Sequence, residues 1–150
     1  IDVTVEAARN AISGIQIVET LLPIDTWYTT NNLTGAAATL GADPDDDGMN
    51  NLLEYALGGN PGADDAYSIL PTWQLGPSNV IYTYNRRTDA AARKLTYTVL
   101  VTEDLTTGVW SNTAIEFGTG TIDTNFEVVS NRVSTVPDAR FIKLKVEQAP

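Results

Sequence analysis

Oxygen-bearing side chains recur at short, regular intervals between residues 43 and 54, in the stretch DPDDDGMNNLLE, here called the acidic loop. Counted as twelve positions, the loop has side-chain oxygens at positions 1, 3, 5, 9 and 12 and Gly48 at position 6. A calcium loop needs this spacing, with a turn at position 6 and a distal glutamate that binds through two oxygens. The predicted ligands are the side chains of Asp43, Asp45, Asp47, Asn51 and Glu54 and the carbonyl of Met49.

A plain acidic surface turn is the alternative to a calcium loop. Including Asp46, five carboxylates lie within the twelve residues, and they would repel one another in the absence of a cation. Because Gly48 and Glu54 both lie in register, the pattern favours calcium. An EF-hand usually has an apolar residue at position 8, but this loop has Asn50, which is not counted as a ligand. The segment therefore resembles a lone loop of the dockerin or thrombospondin type 3 kind.

The composition excludes several kinds of chemistry. The chain has 150 residues, which suits one domain or a small domain with an attached fragment, and it contains no histidine and no cysteine. Catalytic Ser-His-Asp and Cys-His systems, zinc sites with His or Cys ligands, and disulfides are therefore excluded. A net charge of −10 argues against partners such as nucleic acid and anionic membranes. No apolar run approaches the roughly 18 residues that a membrane span requires.

The acidic loop also indicates where the protein works. Weak calcium sites fill only where calcium is near millimolar, which favours an extracellular or bacterial cell-surface location. The sequence begins with Ile1 and shows no signal peptide, so we expect a processed product or an excised piece of a longer chain.

Residues 1–22 are predicted to form an N-terminal strand segment. Ile1, Val3 and Val5 alternate with polar residues, and alternation resumes at Ile15 and Ile17. No hairpin partner is evident nearby, and an isolated pair of strands is marginally stable in water. The segment is expected either to join the chain's own sheet or to be donated to a neighbouring molecule.

Residues 23–66 are predicted to be a connector that holds the acidic loop and one short helix. The helix has an apolar stripe at Leu52, Leu53, Ala56 and Leu57 and ends at the Gly58-Gly59 pair. Earlier in the connector, Trp27 and Tyr28 either stack on a sugar ring or, as is more usual for such aromatic residues, pack on a neighbouring element.

Residues 67–150 show the alternation of apolar and polar residues that is typical of strands. The predicted inward-facing residues are Val80, Tyr82, Tyr84, Leu95, Tyr97, Val99, Val101, Ile142, Leu144 and Val146. A further strand or two is expected between residues 125 and 136, with a possible turn at Ser130-Asn131, and Gly118 and Gly120 indicate another turn. Trp73 and Trp110 are expected in the core. Several short alternating segments predict a mainly β protein with a small antiparallel β-sandwich.

Three stretches resemble a C-terminal module of secreted proteins from the Verrucomicrobia, Kiritimatiellae and Lentisphaerae group of bacteria. They are DPDDDGMNNLLEYALGGNP, YTYNRRTDAAARKLTYTVLVTEDLTTGVW and RFIKLKVE, in the same order and at similar spacing. The resemblance implies export, a calcium loop and a fibronectin-like sandwich appended to a larger secreted or surface protein. SGIQIVE also resembles the closing strand of the β-sandwich that often precedes this module. Only the six predicted loop ligands receive a chemical role from the resemblance.

Two further groups of charged residues have ordinary explanations. Arg86, Arg87, Arg93 and Lys94 could bind an acidic polysaccharide or a neighbour's acidic loop, but pairing with the chain's own carboxylates is the commoner outcome. Asp123 with Glu116 or Glu127 could be imagined as a glycosidase pair, but the sequence indicates no cleft.

These observations predict a non-catalytic extracellular module that is stabilised by calcium. Its expected partners are copies of itself or a parent or surface protein, with self-association into a fibre or assembly through the N-terminal strand. The alternative is an accessory domain, carbohydrate-binding or a spacer, of a secreted polysaccharide-degrading enzyme.

Overall fold

The computed structural model describes residues 23–136 and 140–150. The predicted N-terminal strand segment, residues 1–22, lies outside the described residues, so its pairing stays a prediction.

Residues 23–69 contain three short helices, of which only the second was predicted. They are α1 (Pro23–Thr30), α2 (Asn51–Leu57) and α3 (Ala66–Ile69), with a 3-10 turn (Gly35–Ala37) between α1 and α2. Helix α1 begins at a proline, which suits a first helical turn because the missing N–H would have no intrahelical partner there. Ile24 and Tyr28, four residues apart, are its buried residues.

The rest of the described chain forms two antiparallel sheets, which confirms the predicted β-sandwich. The strands are β1 (Thr72–Leu75), β2 (Asn79–Arg87), β3 (Leu95–Thr102), β4 (Ile115–Thr121), β5 (Phe126–Ser134) and β6 (Phe141–Gln148). One sheet has four strands in the order β1-β2-β5-β4, and the other consists of β3 and β6. Because the sheets differ in width, the two-stranded sheet covers only part of the larger one.

The sandwich core lies where the predicted inward faces meet. Tyr82, Tyr84, Val99 and Val129 form one buried cluster, and β6 packs against it with Ile142 and Leu144, as the alternation predicted. Two other buried clusters join α1 and α2 to the sandwich. The first contains Ile24, Tyr28, Tyr55, Ala56 and Leu95, and the second contains Met49, Leu57, Ala66 and Ile69.

Side chains of the sandwich hold the C-terminal end of α2. The Tyr97 hydroxyl donates a hydrogen bond of 2.7 Å to the Ala56 carbonyl, and Asn85 Nδ2 donates one of 3.2 Å to the Leu57 carbonyl. Arg87 Nε donates to the Tyr55 carbonyl. The last carbonyls of a helix have no intrahelical partner, so these three bonds attach α2 directly to β2 and β3.

The two tryptophans expected in the core lie elsewhere. Trp73 is 70% exposed, although it pairs with buried Tyr82 and so faces the same side of the sheet. It is exposed because the narrower sheet does not reach over β1. Trp110 is half-buried outside the three clusters, with Lys143 Nζ 3.9 Å from the ring centroid.

The turns predicted late in the chain are also wrong. Ser130 and Asn131 lie inside the continuous strand β5, and Asn131 is buried. Gly118 and Gly120 lie inside β4, next to an irregularity in register between Glu116 and Gly118. These turn-forming residues are accommodated by strand pairing on β5, which overrides their local preference.

Candidate metal centre

The acidic loop leads into α2 through a side-chain cap. Asn50 Oδ1 accepts a hydrogen bond of 3.1 Å from the Leu53 N–H, which makes Asn50 the N-cap of the helix. At the other end, Gly58 closes α2 with a φ of 94°, a conformation that glycine adopts at little cost. The cap explains the departure at position 8, because Asn50 is used to start the helix.

The turn of the loop is fixed by its first residue. Asp43 Oδ2 accepts a hydrogen bond of 3.0 Å from the Gly48 N–H, and Gly48 has a φ of 93°. Asp46, beside the turn, is exposed and also has a positive φ, of 61°. The turn leaves the second oxygen of Asp43 buried with no hydrogen-bond partner among the described residues.

Five carboxylates from this region form what we call the acidic cluster: Asp43, Asp45, Asp47, Glu54 and Asp65. One oxygen from each of Asp43, Asp45 and Asp47 lies within 4.8 Å of the others, and the same holds for Asp47, Glu54 and Asp65. Both groups could hold a metal ion. The loop thus brings together four of the predicted ligands, and the fold adds Asp65.

Glu54 is the most deeply placed acid of the cluster. Its side chain is fully buried, and neither carboxylate oxygen has a hydrogen-bond partner among the described residues. Burial, together with the smaller effect of the charges of the other four acids, raises the pKa of the Glu54 carboxyl from its ordinary value of 4.5 to about 8. An ionised carboxylate in this position needs a positive charge close by.

Asp47 differs from its neighbours because it is already well bonded. Oδ1 accepts from the Met49 N–H at 2.9 Å, and Oδ2 accepts from the Asp65 and Ala66 N–H groups at 3.0 and 2.8 Å. These bonds hold the pKa of the Asp47 carboxyl below its usual value. By contrast, burial and the charge of Asp47 raise the pKa of Asp45, whose two oxygens have no hydrogen-bond partner among the described residues.

The two predicted ligands that are not acids are both buried. Asn51 Nδ2 donates to the carbonyls of Ala37 and Thr39, each at 2.7 Å, while Asn51 Oδ1 has no partner among the described residues. The Met49 side chain packs with Leu57 in the core. The six predicted ligands remain a prediction, with unpartnered oxygens on Asp43, Asp45, Asn51 and Glu54 as the structural features that agree with it.

Asp65 was missed because it lies eleven residues beyond the loop. Its backbone N–H binds Asp47, and its Oδ2 accepts a hydrogen bond of 3.1 Å from the Asn60 N–H. Its Oδ1 is buried and has no hydrogen-bond partner among the described residues. The local sequence GADDA gives no ligand spacing, so only the tertiary fold reveals this acid.

The basic residues 86, 87, 93 and 94 are used inside the chain. Arg86 forms ion pairs with Glu116 at 2.9 Å and Glu127 at 2.8 Å, and these three residues are called the Arg86 group. Arg93 pairs with Asp89 at 2.7 Å, as its helical spacing suggested. Lys94 donates to the Pro150 carbonyl. The two glutamates considered for glycosidase chemistry are therefore bound to an arginine.

Trp27 and Tyr28 pack against the helix that carries Glu54. The Trp27 ring lies 5.6 Å from the Tyr55 ring in an edge-on arrangement, and Tyr28 is buried in the same cluster. Arg93 Nη1 donates a hydrogen bond of 2.6 Å to the Tyr55 hydroxyl. The packing alternative for these two aromatic residues is the one observed.

Comparison of the chain with protein-family models, with curated proteins and with solved structures finds no match in any of the three. Within the described residues, no helix combines the length and apolar character needed to cross a membrane.

Proposed function

We propose that this protein is a non-catalytic extracellular structural module in which calcium fixes α2 to the β-sandwich and which assembles by strand addition. The observation that supports calcium most directly is Glu54, a fully buried carboxylate with no hydrogen-bond partner for either oxygen. Burying an ionised acid without a partner is costly, and a bound cation removes that cost.

Calcium suits the chemistry of the cluster better than softer metals do. The groups that face one another supply only oxygen, and calcium takes six to eight oxygen ligands in flexible geometry. The sequence has no histidine or cysteine, which softer metals prefer. Side-chain and backbone oxygens with waters would complete the coordination.

The ion would act on the position of α2. Glu54 lies in the same helix as Tyr55, Ala56 and Leu57, all of which are fully buried. A site with a Kd of about 10⁻⁴ to 10⁻³ M, at one to ten times that concentration of calcium, stabilises a fold by about 0.4 to 1.4 kcal/mol. The effect is modest for the whole chain and concentrated at the junction between the connector and the sandwich.

The calcium function is tested by thermal melting with calcium and with chelator. Calcium should raise the melting temperature by about 1 to 5 °C for a domain of this size. Asp45→Asn should reduce this increase, whereas Asp46→Asn, at an exposed position outside both carboxylate groups, should retain it in full. Equal melting temperatures in millimolar calcium and in chelator would overturn the calcium function.

The edge of β6 supports assembly by strand addition. Among the described residues β6 pairs only with β3, and the other edge of β3 pairs at Val101 with Ser111. Since Ser111 lies four residues before β4, we infer that β3 lies toward the β5-β4 side and β6 toward the β2-β1 side. A strand added to β6 would lie over β1, whose inward-facing Trp73 and Leu75 are 70% and 65% exposed.

The N-terminal sequence has the pattern that this edge would accept. Strand β6 alternates half-buried apolar residues with exposed Lys143 and Lys145. In IDVTVE, apolar residues alternate with polar ones that include Asp2 and Glu6. A strand with its valines directed inward would place acids beside the lysines, and such cross-strand pairs contribute about 0.2 to 1 kcal/mol each. Residues 1–6 of a neighbouring copy are the proposed donor strand.

Charge reversal tests the assembly. Light scattering should give a larger mass for the wild-type chain than for Lys143→Glu/Lys145→Glu, because like charges would then face each other across the edge. Adding Asp2→Lys/Glu6→Lys to the same chain should restore the larger mass. A wild-type chain that is monomeric at all concentrations, or a double variant with unchanged mass, would contradict assembly through β6 without affecting the calcium site.

Carbohydrate binding is the second candidate, and exposed Trp73 is the observation that favours it. Trp27 and Tyr28 are packed, so Trp73 is the better stacking surface for a sugar. Glycan-array screening of the wild type and of Trp73→Ala separates the candidates. A glycan signal that the variant loses would favour carbohydrate binding, and an array without any signal would count against it.

A further inference from the structure

Asp65 adds to the acidic cluster a carboxylate that the twelve-residue loop does not contain. We propose that the cluster binds two divalent cations of the calcium type, with Asp47 shared between them. Asp43, Asp45 and Asp47 would hold the first ion, and Asp47, Glu54 and Asp65 would hold the second. This inference rests on the proposed calcium function and adds a second ion and a ligand outside the loop.

The geometry divides the carboxylates into two groups rather than one. Within each group, one oxygen from each acid lies within 4.8 Å of the other two, and Asp47 is the only acid in both. Glu54, which belongs to α2, groups with Asp65, while Asp43 and Asp45 form the other group. A bridging carboxylate with an oxygen for each ion is compatible with this arrangement, because Asp47 faces both groups.

Glu54 gives independent evidence for a ligand at the second position. It is fully buried, and both of its oxygens lack a hydrogen-bond partner among the described residues. Buried polar groups in folded proteins are almost always hydrogen-bonded, so a carboxylate with two unpartnered oxygens indicates a cation. Asp65 Oδ1, also buried and without a hydrogen-bond partner there, belongs to the same group.

The fold around Asp65 brings its carboxylate to this place. Asp47 accepts hydrogen bonds from the N–H groups of Asp65 and Ala66. The Asn60 N–H donates to Asp65 Oδ2, so Asp65 Oδ1 is the oxygen available to an ion. A Cβ on Gly59 would lie 3.2 Å from Asp65 Oδ1 and 3.2 Å from Glu54 Cβ. The absence of a side chain at Gly59 therefore allows these two acids to approach each other.

The charge of the cluster also favours a second ion. The five acids carry five negative charges when ionised, so one calcium ion leaves a charge of −3 and two leave −1. Residual like charge is costly where the carboxylates are removed from water. No basic side chain forms an ion pair with any of the five acids among the described residues.

Counting bound ions tests the proposal. Equilibrium dialysis of the full chain with radioactive calcium, in enough salt to suppress weak surface binding, should give two ions per chain at saturation. Asp65→Asn should give one, because the amide retains the acceptor for the Asn60 N–H but loses the charge. Asp64→Asn, at the neighbouring exposed acid, should still give two.

The possible results separate this inference from the proposed function. One ion per wild-type chain overturns the second position and leaves the calcium function intact, whatever Asp65→Asn does. Two ions in a correctly folded Asp65→Asn variant also overturn it. No bound ion in the wild type would overturn both. Near-UV circular dichroism of the aromatic cluster checks the fold, and the wild-type count decides the question if Asp65→Asn does not fold.

Discussion

The acidic cluster and the Arg86 group both concentrate carboxylates, but only the Arg86 group contains its own positive charge. Arg86 lies between Glu116 and Glu127, at 2.9 and 2.8 Å, and all three side chains remain partly exposed. In the acidic cluster Glu54 is fully buried, and the described residues supply no cation. The Arg86 group therefore balances its charge within the fold, whereas the acidic cluster would need the proposed ion from solution to do so.

The largest effect is expected from Glu54→Gln. The calcium affinity of the variant should fall by at least the roughly 10- to 100-fold that removal of an outer-shell partner causes, because a direct ligand is removed. In chelator above about pH 8 the same variant should melt at a higher temperature than the wild type, because the buried wild-type carboxyl is ionised there. Calorimetric titration and melting curves measure the two effects, and unchanged calcium affinity would remove Glu54 from the site.

The pH should shift stability in the direction set by Glu54. Its pKa is raised to about 8 in the folded chain, so the folded state holds this proton more tightly than the unfolded state does. Its contribution to stability is complete below pH 4.5 and is lost as the pH rises through about 8. Melting curves in chelator should show this loss, and Glu54→Gln is the control that should lack it. Saturating calcium should reduce the loss, since the bound carboxylate is ionised.

Asp47→Ala should reduce stability both with calcium and without it. The substitution removes a proposed ligand and also the acceptor for the N–H groups of Met49, Asp65 and Ala66. An unsatisfied buried donor costs about 1 to 3 kcal/mol, so chelator should not equalise the variant and the wild type. Denaturant unfolding in both conditions measures the difference, and a loss seen only in calcium would show that Asp47 acts solely through the ion.

The smallest effect, independent of calcium, is expected from Arg86→Met. The methionine retains much of the apolar volume but leaves Glu116 and Glu127 without their shared partner. Because the ion pairs are partly exposed, we expect a loss of about 1 kcal/mol. Denaturant unfolding in calcium and in chelator should give the same loss. A loss of unfolding free energy that differs between calcium and chelator would show that the Arg86 group is not independent of the acidic cluster.

Local spacing was sufficient to predict the acidic loop, α2 and the main strands. The positions of Asp43 to Glu54 depend on one turn and one helix start, which short-range sequence encodes. Asp65 could not be found this way, because its approach depends on tertiary hydrogen bonds to Asp47, eighteen residues away. Trp73 was misplaced for a related reason: alternation assigns a side chain to a face of the sheet but not the width of the opposing sheet.

Helix α1 could have been recognised from the sequence. Pro23 at the first position and Asp25 in the first turn are helix-start signals, and Ile24, Trp27 and Tyr28 have helical spacing. Its threonines favour extended structure, which obscured the pattern. Packing of Tyr28 with Tyr55 and Leu95 stabilises a helix that local preference alone would leave undecided.

The adjacency of Glu54 and Tyr55 in α2 has an optical consequence. The Trp27 ring lies 5.6 Å from the Tyr55 ring, so a displacement of the helix at Glu54 would alter the surroundings of an indole. Trp27 is thus an intrinsic fluorophore in contact with the residue next to Glu54. Its emission, with Trp27→Phe as the blank, would report ion binding at the acidic cluster in real time without any added dye.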